Sequence, residues 1–320
     1  MRVVFLGTPE FAVPCLRAIR EAGHEVALVV TQPDRPSRRG QKEMAAPPVK
    51  LAAGGIDVLQ PEDVNASEAA SRLRAASVEV LVVVAFGQKM GPELLAMAPR
   101  GCVNVHASLL PRFRGASPIS SAILKGHAQT GVTIMRLVER MDAGPVLLQR
   151  ATAIEAEETT DRLEERLSHI GAELLVELLT AWSAGREVPE MAQDESRATY
   201  ARKLKKEDGL IPWARPVRRV DCHIRAMTSW PGAFTYLLED GKPPQRVAIR
   251  RARPSTEPAT TAPGTVVGLN ETGLRVATGE GAIDLVELQP ENRRAMDARS
   301  FVNGWRVKPG DCFGPMDSRP

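Results

Sequence analysis

Cysteine pairs, long apolar runs and glycine-rich nucleotide loops are all missing from this chain of 320 residues, and each absence closes off a class of function. Four cysteines, Cys15, Cys102, Cys222 and Cys312, lie far apart with no Cys-x-x-Cys pair. No zinc ribbon or thioredoxin-type centre is therefore on offer, and the scatter suits small core thiols in a reducing compartment. Cys222 precedes His223, but one Cys-His dipeptide makes no tetrahedral ligand set, and no two of the histidines have zinc-ligand spacing. No metal is expected. The N-terminal apolar run is far too short for a signal peptide or a membrane span, and no Arg/Ser-rich transit segment follows, so a cytoplasmic protein without membrane association is expected. The first candidate phosphate turn, Gly7-Thr-Pro-Glu-Phe, has a single glycine and places Pro9 where a pyrophosphate loop needs permissive backbone. That disfavours a dinucleotide site. No Gly-x-Ser-x-Gly elbow is present, which removes the usual serine hydrolase. A net charge of +3 permits a nucleic-acid partner without demanding one.

What is present is an alternation of apolar runs and amphipathic stretches. Residues 3–6 are apolar and end in Gly7. Pro9 opens a helical pattern over 10–22, with Phe11, Val13, Leu16 and Ile19 on one face, and Gly23 closes it. Strand, turn, proline-led helix and terminal glycine make a βα unit. Residues 26–30, 81–85, 102–105 and 132–137 read as further strands, and the Val-rich run at 81–85 fits burial on both faces. Helices are expected between them, for example over 118–124 and 159–182. The pattern predicts an α/β domain with a mostly parallel sheet over residues 1–185. The polar stretch 186–208 reads as a linker. After a helix over 216–227, short apolar alternations separated by turn residues predict a small β-barrel domain over 209–320, with 251–263 an exposed loop. Residues 32–47 interrupt the first domain with prolines and the basic side chains Arg35, Arg38, Arg39 and Lys42. A long charged loop of this kind is either functional or simply a solvated surface.

The chemistry concentrates in Asn104-Val-His-Ala-Ser-Leu-Leu-Pro111 and in Asp142, which lies in Met141-Asp-Ala-Gly144. Residues two apart on a strand point to one face, so Asn104 and His106 project together at a strand end, where open α/β sheets place their ligands. An amide can donate to an oxyanion, an imidazole can move a proton, and a carboxylate can orient or charge-stabilise that imidazole. A satisfied structural histidine and a turn aspartate before glycine are the plain alternatives for His106 and Asp142.

These motifs resemble a known family. Gly-Thr-Pro-x-Phe at a first strand end, Thr31-Gln-Pro-Asp-Arg-Pro, Asn-Val-His-x-Ser-Leu-Leu-Pro, and Gly131-Val-Thr-Ile-Met followed by Asp142-x-Gly look like the methionyl-tRNA formyltransferases. The similarity continues through Tyr200-Ala-x-Lys-Leu, Trp230-Pro, Ala262-Pro-Gly-Thr and Leu288-Gln-Pro, and so spans nearly the whole chain. The resemblance implies a Rossmann-like catalytic domain followed by an OB-like barrel that holds tRNA. It implies transfer of the formyl group of 10-formyltetrahydrofolate to the α-amine of initiator methionyl-tRNA, by a monomer with no metal and no protein partner. Asn104, His106 and Asp142 would be the catalytic trio. Phe86, Gly87 and the run Ser108, Leu109, Leu110 and Pro111 would shape the folate site. Arg39 and Lys42 in the basic loop, and Lys203, Lys205 and Lys206 near the linker, would meet tRNA phosphates. Two rivals stay open: a folate-dependent formyltransferase acting on an amino-sugar nucleotide, and a non-catalytic RNA-binding protein.

Overall fold

Val3 to Leu6 form the centre of β1 (Arg2–Gly7), and in the computed structural model of the chain they are wholly buried. The structure describes residues 1–36, 44–239, 241–257 and 260–317. They fall into two units, one of 1–118, 129–153 and 164–201, the other of 119–128, 154–163 and 202 onward.

The first unit is built on a seven-stranded sheet. After β1, a turn of 3-10 helix at Glu10–Ala12 leads into α1 (Val13–Glu21), which starts late because Pro14 fits only a first helical turn. β2 (Glu25–Val30), β3 (Val58–Leu59), β4 (Val80–Val84) and β5 (Cys102–His106) all run parallel to β1. β6 (Gln129–Arg136) and β7 (Val146–Ala153) then add antiparallel strands, giving the order β7-β6-β5-β4-β1-β2-β3. Both faces are covered, as continuous Val-rich strands require. On one face Leu73 of α2 (Ser67–Ala75) belongs to a core with Val4, Leu6, Leu28, Leu81, Val83 and Cys102. On the other, Gly171 of the long helix α3 (Thr160–Ser183) sits against Val105 and Val132, with the Cys15 sulfur beside it. Burial pushes the Cys15 thiol up to about 12, and that of Cys102 up as well, which suits thiols used as packing.

The second unit holds α4 (Val217–Ala226) and an antiparallel sheet. Its strands β8 (Phe234–Leu238), β9 (Gln245–Pro254), β10 (Val266–Leu269), β11 (Leu274–Ala277), β12 (Ala282–Pro290) and β13 (Cys312–Gly314) follow the order β10-β11-β12-β9-β8-β13. The two ends of that path meet: Thr265 bridges Cys312, and the Val266 N–H donates to the Asp311 carbonyl at 2.8 Å. The sheet thus nearly closes into a barrel and leaves little edge to pair with strangers. Across β11 and β12 the buried Asp284 carboxylate receives Arg275 Nε at 2.9 Å and Asn270 Nδ2 at 3.1 Å.

Two expectations need correcting. Residues 251–254 are not loop but the end of β9, paired with Glu287, Leu285, Asp284 and Ile283 of β12. The exposed arginines at 251 and 253 hid a strand whose inward signal is Ala252 alone. Residues 186–201 are not a free linker. Val146 and Met191 form an antiparallel bridge, and the two-residue strand Tyr200–Ala201 pairs in parallel with Arg114–Gly115. Their polar side chains answer a buried cation, so no apolar pattern marked them. Arg39 and Lys42 lie outside the described residues.

Candidate active site

The order of strands in the first sheet reverses between β1 and β4, the place where open α/β sheets form a ligand crevice at the strands' carboxyl ends. Side chains close it at depth: the Thr8 hydroxyl, just past β1, donates to the Phe86 carbonyl at 2.9 Å, and Gln32 Nε2 donates to the same oxygen at 3.3 Å. The Phe86 ring is core, while Ala85 and Gly87 on either side are exposed and take left-handed backbone, with φ of 47° and 90°. Any ligand here meets main chain rather than the phenyl ring.

One strand over, Asn104 and His106 share the outer end of β5. His106 is 6 % exposed. Its Nε2 lies 3.0 Å from the Phe113 carbonyl, an acceptor only, so Nε2 carries the proton. Nδ1 is thereby left as the reactive nitrogen, and the Asp142 Oδ2 faces it at 3.8 Å. The same Oδ2 accepts the Gly115 N–H at 2.7 Å, and Asp142 Oδ1 has no partner among the described residues. The Asn104 side-chain amide, half-buried, likewise makes no hydrogen bond among the described residues. That amide is therefore available to a ligand at the strand end.

Asp142 reaches His106 because its backbone bends against the grain. Its φ is 49°, a left-handed conformation costing roughly 1–2 kcal/mol for a residue with a Cβ. The glycines of the two flanking motifs explain the rest. A Cβ on Gly144 would collide with the Arg136 carbonyl, and one on Gly131 with the Arg150 carbonyl and the Leu109 side chain. Gly131 therefore lets β6 pass beneath the 108–111 run. That run is tightly tied. The Ser108 hydroxyl donates to the Arg112 carbonyl at 2.6 Å, which occupies it structurally. The Thr133 hydroxyl donates to the Ser108 carbonyl at 2.6 Å, and Gln149 Nε2 donates to the Leu110 carbonyl at 3.1 Å. Leu110 packs on Met135 and Val146, Leu109 is half-buried, and the Pro111 carbonyl accepts the Thr199 N–H at 3.2 Å.

Sequence reasoning missed a layer behind Asp142. Arg114 has no exposed surface, yet carries a charge. Its guanidinium donates to Glu195 Oε1 and Oε2 at 2.8 and 3.1 Å, and to Gln193 Oε1 at 2.8 and 3.1 Å. Glu195 holds Arg114 above the usual guanidinium range, and Arg114 holds the Glu195 carboxyl below the usual carboxylate range. Gln193 Nε2 then donates to the Asp142 carbonyl at 2.9 Å and to the Gly144 carbonyl at 2.7 Å. The one legible signal was Arg114 itself, a second charge two residues after Arg112 at the end of the Leu-Leu-Pro run.

The structure unites Asn104, His106 and Asp142 with the 86–87 and 108–111 segments in the first unit. Lys203, Lys205 and Lys206 are exposed in the second, around the short turn Lys206–Gly209.

The formyl transferase family model matches residues 1–179, and the formyl transferase C-terminal domain model matches residues 203–306. The methionyl-tRNA formyltransferase of Citrifermentans bemidjiense is 43% identical over 320 residues, covering 99% of this chain and 98% of that one. That of Anaeromyxobacter dehalogenans is 47% identical over 313 residues, covering 96% and 98%. This chain belongs to the methionyl-tRNA formyltransferase family. An N-formyltransferase from Helicobacter canadensis, solved with folinic acid and dTDP-3-aminofucose, shares the fold with a TM-score of 0.66 at 16% identity, covering 88% of this chain and 98% of that one. A methionyl-tRNA formyltransferase must seat a folate, and the crevice offers what a flat heterocycle with a hydrogen-bonding edge requires. Main chain is exposed at Ala85 and Gly87, and the 108–111 run forms a rigid wall. Among the described residues no helix is long and apolar enough to cross a membrane, and no group of three or more His, Cys, Asp and Glu could hold a metal.

Proposed function

We propose that Asn104, His106 and Asp142 carry the family's reaction in this chain, moving a formyl group from 10-formyltetrahydrofolate to the α-amine of methionine on initiator tRNA. The observation that supports this reading is the meeting, at the strands' carboxyl ends, of an amide and a carboxylate oxygen that have no partner among the described residues with an imidazole whose Nδ1 faces that carboxylate.

The folate supplies the formyl carbon, and backbone at 85–87 with the 108–111 wall holds it. When the amine attacks that carbon, negative charge gathers on the formyl oxygen. Asn104 donates to it from a fixed position, and His106, protonated at Nδ1, donates beside it; each donor of this kind contributes about 3 kcal/mol. Asp142 Oδ2, held by the Gly115 N–H, faces that ring and orients it. Asp142 Oδ1 receives the proton the amine must lose, through a water, and returns it to the departing folate nitrogen. The new N–C bond replaces the old one, so protons and electrons balance without a redox partner or a covalent enzyme intermediate.

In the second unit, Lys203, Lys205 and Lys206 lie against acceptor-stem phosphates, and Arg39 and Lys42 serve the acceptor end from the basic loop. The enzyme works as a cytoplasmic monomer. Formylation assays with purified initiator and elongator methionyl-tRNA and 10-formyltetrahydrofolate test the reading. Turnover of the initiator tRNA is expected. Turnover of a dTDP-linked amino sugar with none of either tRNA would replace it with the amino-sugar reading.

A further inference from the structure

Residues 180–202 fall between the two family models, yet Gln193, Glu195 and Tyr200 in that interval all bear on the catalytic carboxylate. We infer that Gln193 is a positioning residue for formyl transfer, locked by the buried Arg114 and holding Asp142 in the left-handed bend that points its carboxylate at His106. The inference rests on Asp142 acting in catalysis as proposed above.

Three observations carry it. Gln193 bridges two motif carbonyls, those of Asp142 and Gly144, with one amide nitrogen, so both ends of the bend hang from one side chain. Its other atom, Oε1, is fixed by two guanidinium hydrogen bonds, so the amide cannot flip without placing an NH2 against a cation. Arg114 is in turn held on its remaining face by the bidentate Glu195 pair, which Arg140 also joins at 2.7 Å. The arrangement serves the site from both sides. Arg114 pairs with Tyr200 across the two-residue strands, and the next residue, Gly115, gives its N–H to Asp142 Oδ2. Backbone of Asp142 and its carboxylate are therefore both referenced to Arg114. A bend that packing alone maintained would need none of these polar contacts, and a buried guanidinium is costly unless fully paired.

Two substitutions test the role in the whole enzyme. Gln193→Leu removes all its hydrogen bonds at similar volume. Gln193→Glu keeps an acceptor for Arg114 but turns a carboxylate oxygen onto the two carbonyls. Both should lower kcat by about 100-fold with KM for methionyl-tRNA and for 10-formyltetrahydrofolate unchanged within about twofold, since a slight misplacement of a reacting group acts on turnover. The decisive arm is a cycle with Asp142→Asn. If Gln193 acts through Asp142, Gln193→Leu costs little further in that background. A full, additive loss in the Asp142→Asn background, or wild-type kcat in both single variants, would overturn the inference. Unchanged thermal unfolding of Gln193→Glu beside a lowered kcat would support it, and a lowered melting temperature with a rise in both KM values would mark a merely structural part. Full activity of Asp142→Asn alone would instead remove the catalytic reading of Asp142, a result separable from any failure of Gln193.

Discussion

Strands β1 to β5 of the first unit run parallel, so their carboxyl ends all emerge on one side, and the sheet reverses its order among them. In the second unit the strands β8 to β13 pair antiparallel with one another, the ends alternate, and the sheet returns upon itself at Thr265 and Cys312. Parallel connection concentrates chain ends, with their loose polar groups, at one place. Antiparallel closure spreads loops over both rims and removes edges. Hence the first unit gathers a few polar groups at one end of its sheet, and the second offers outward charge. The proposed separation of chemistry from grip follows that difference, and three changes should break or sharpen it.

The largest effect belongs to His106. His106→Ala should reduce kcat by about a thousandfold or more, while the dissociation constant for methionyl-tRNA, measured by filter binding, stays within about twofold. An equal loss in both would collapse the distinction between the two regions. Next comes the barrel's interior. Asp284→Ala leaves Arg275 with only the exposed Glu257 as carboxylate partner, and should lower stability by roughly 3 kcal/mol in urea unfolding. At temperatures where the variant stays folded, kcat at saturating tRNA should match the wild type. The smallest change is at the surface. Replacing Lys203, Lys205 and Lys206 together by alanine should raise KM for tRNA by about tenfold and flatten its salt dependence by up to three phosphate contacts' worth, with kcat intact. An unaltered salt slope would take these lysines off the tRNA path.

How much of this could be read beforehand followed the range of the interactions involved. β1, β5, the helix now seen as α3 and the barrel strands were legible because apolar periodicity is local. Asn104 and His106 were legible because two residues on one strand share a face. Asp142 could be named as a candidate but not told from a turn aspartate without a resemblance, since its partner is 36 positions away and nothing in Met-Asp-Ala-Gly distinguishes the two. Gln193 and Glu195 were read as linker for a sharper version of the same reason. Their partner Arg114 lies 79 and 81 positions earlier, and a polar side chain paired with a buried cation looks, in sequence, like one paired with water. The strand at 251–254 was lost differently, its outward arginines outweighing one inward alanine.

The stretch from Gln193 to Ala201 has a double duty that bears on how such chains can be divided and how they can vary in length. It is the last of the places where the chain passes from the first unit into the second, and it is pinned at Gln193, at Glu195 and by the pairing of Tyr200 and Ala201. A first unit cut at 185, where the apolar pattern fades, would lose the amide that holds Asp142; one cut after Ala201 would keep it. Insertions between those pins must loop outward or loosen the bend, so loop length here is expected to be constrained by turnover rather than by folding. A tether between domains would ordinarily tolerate both.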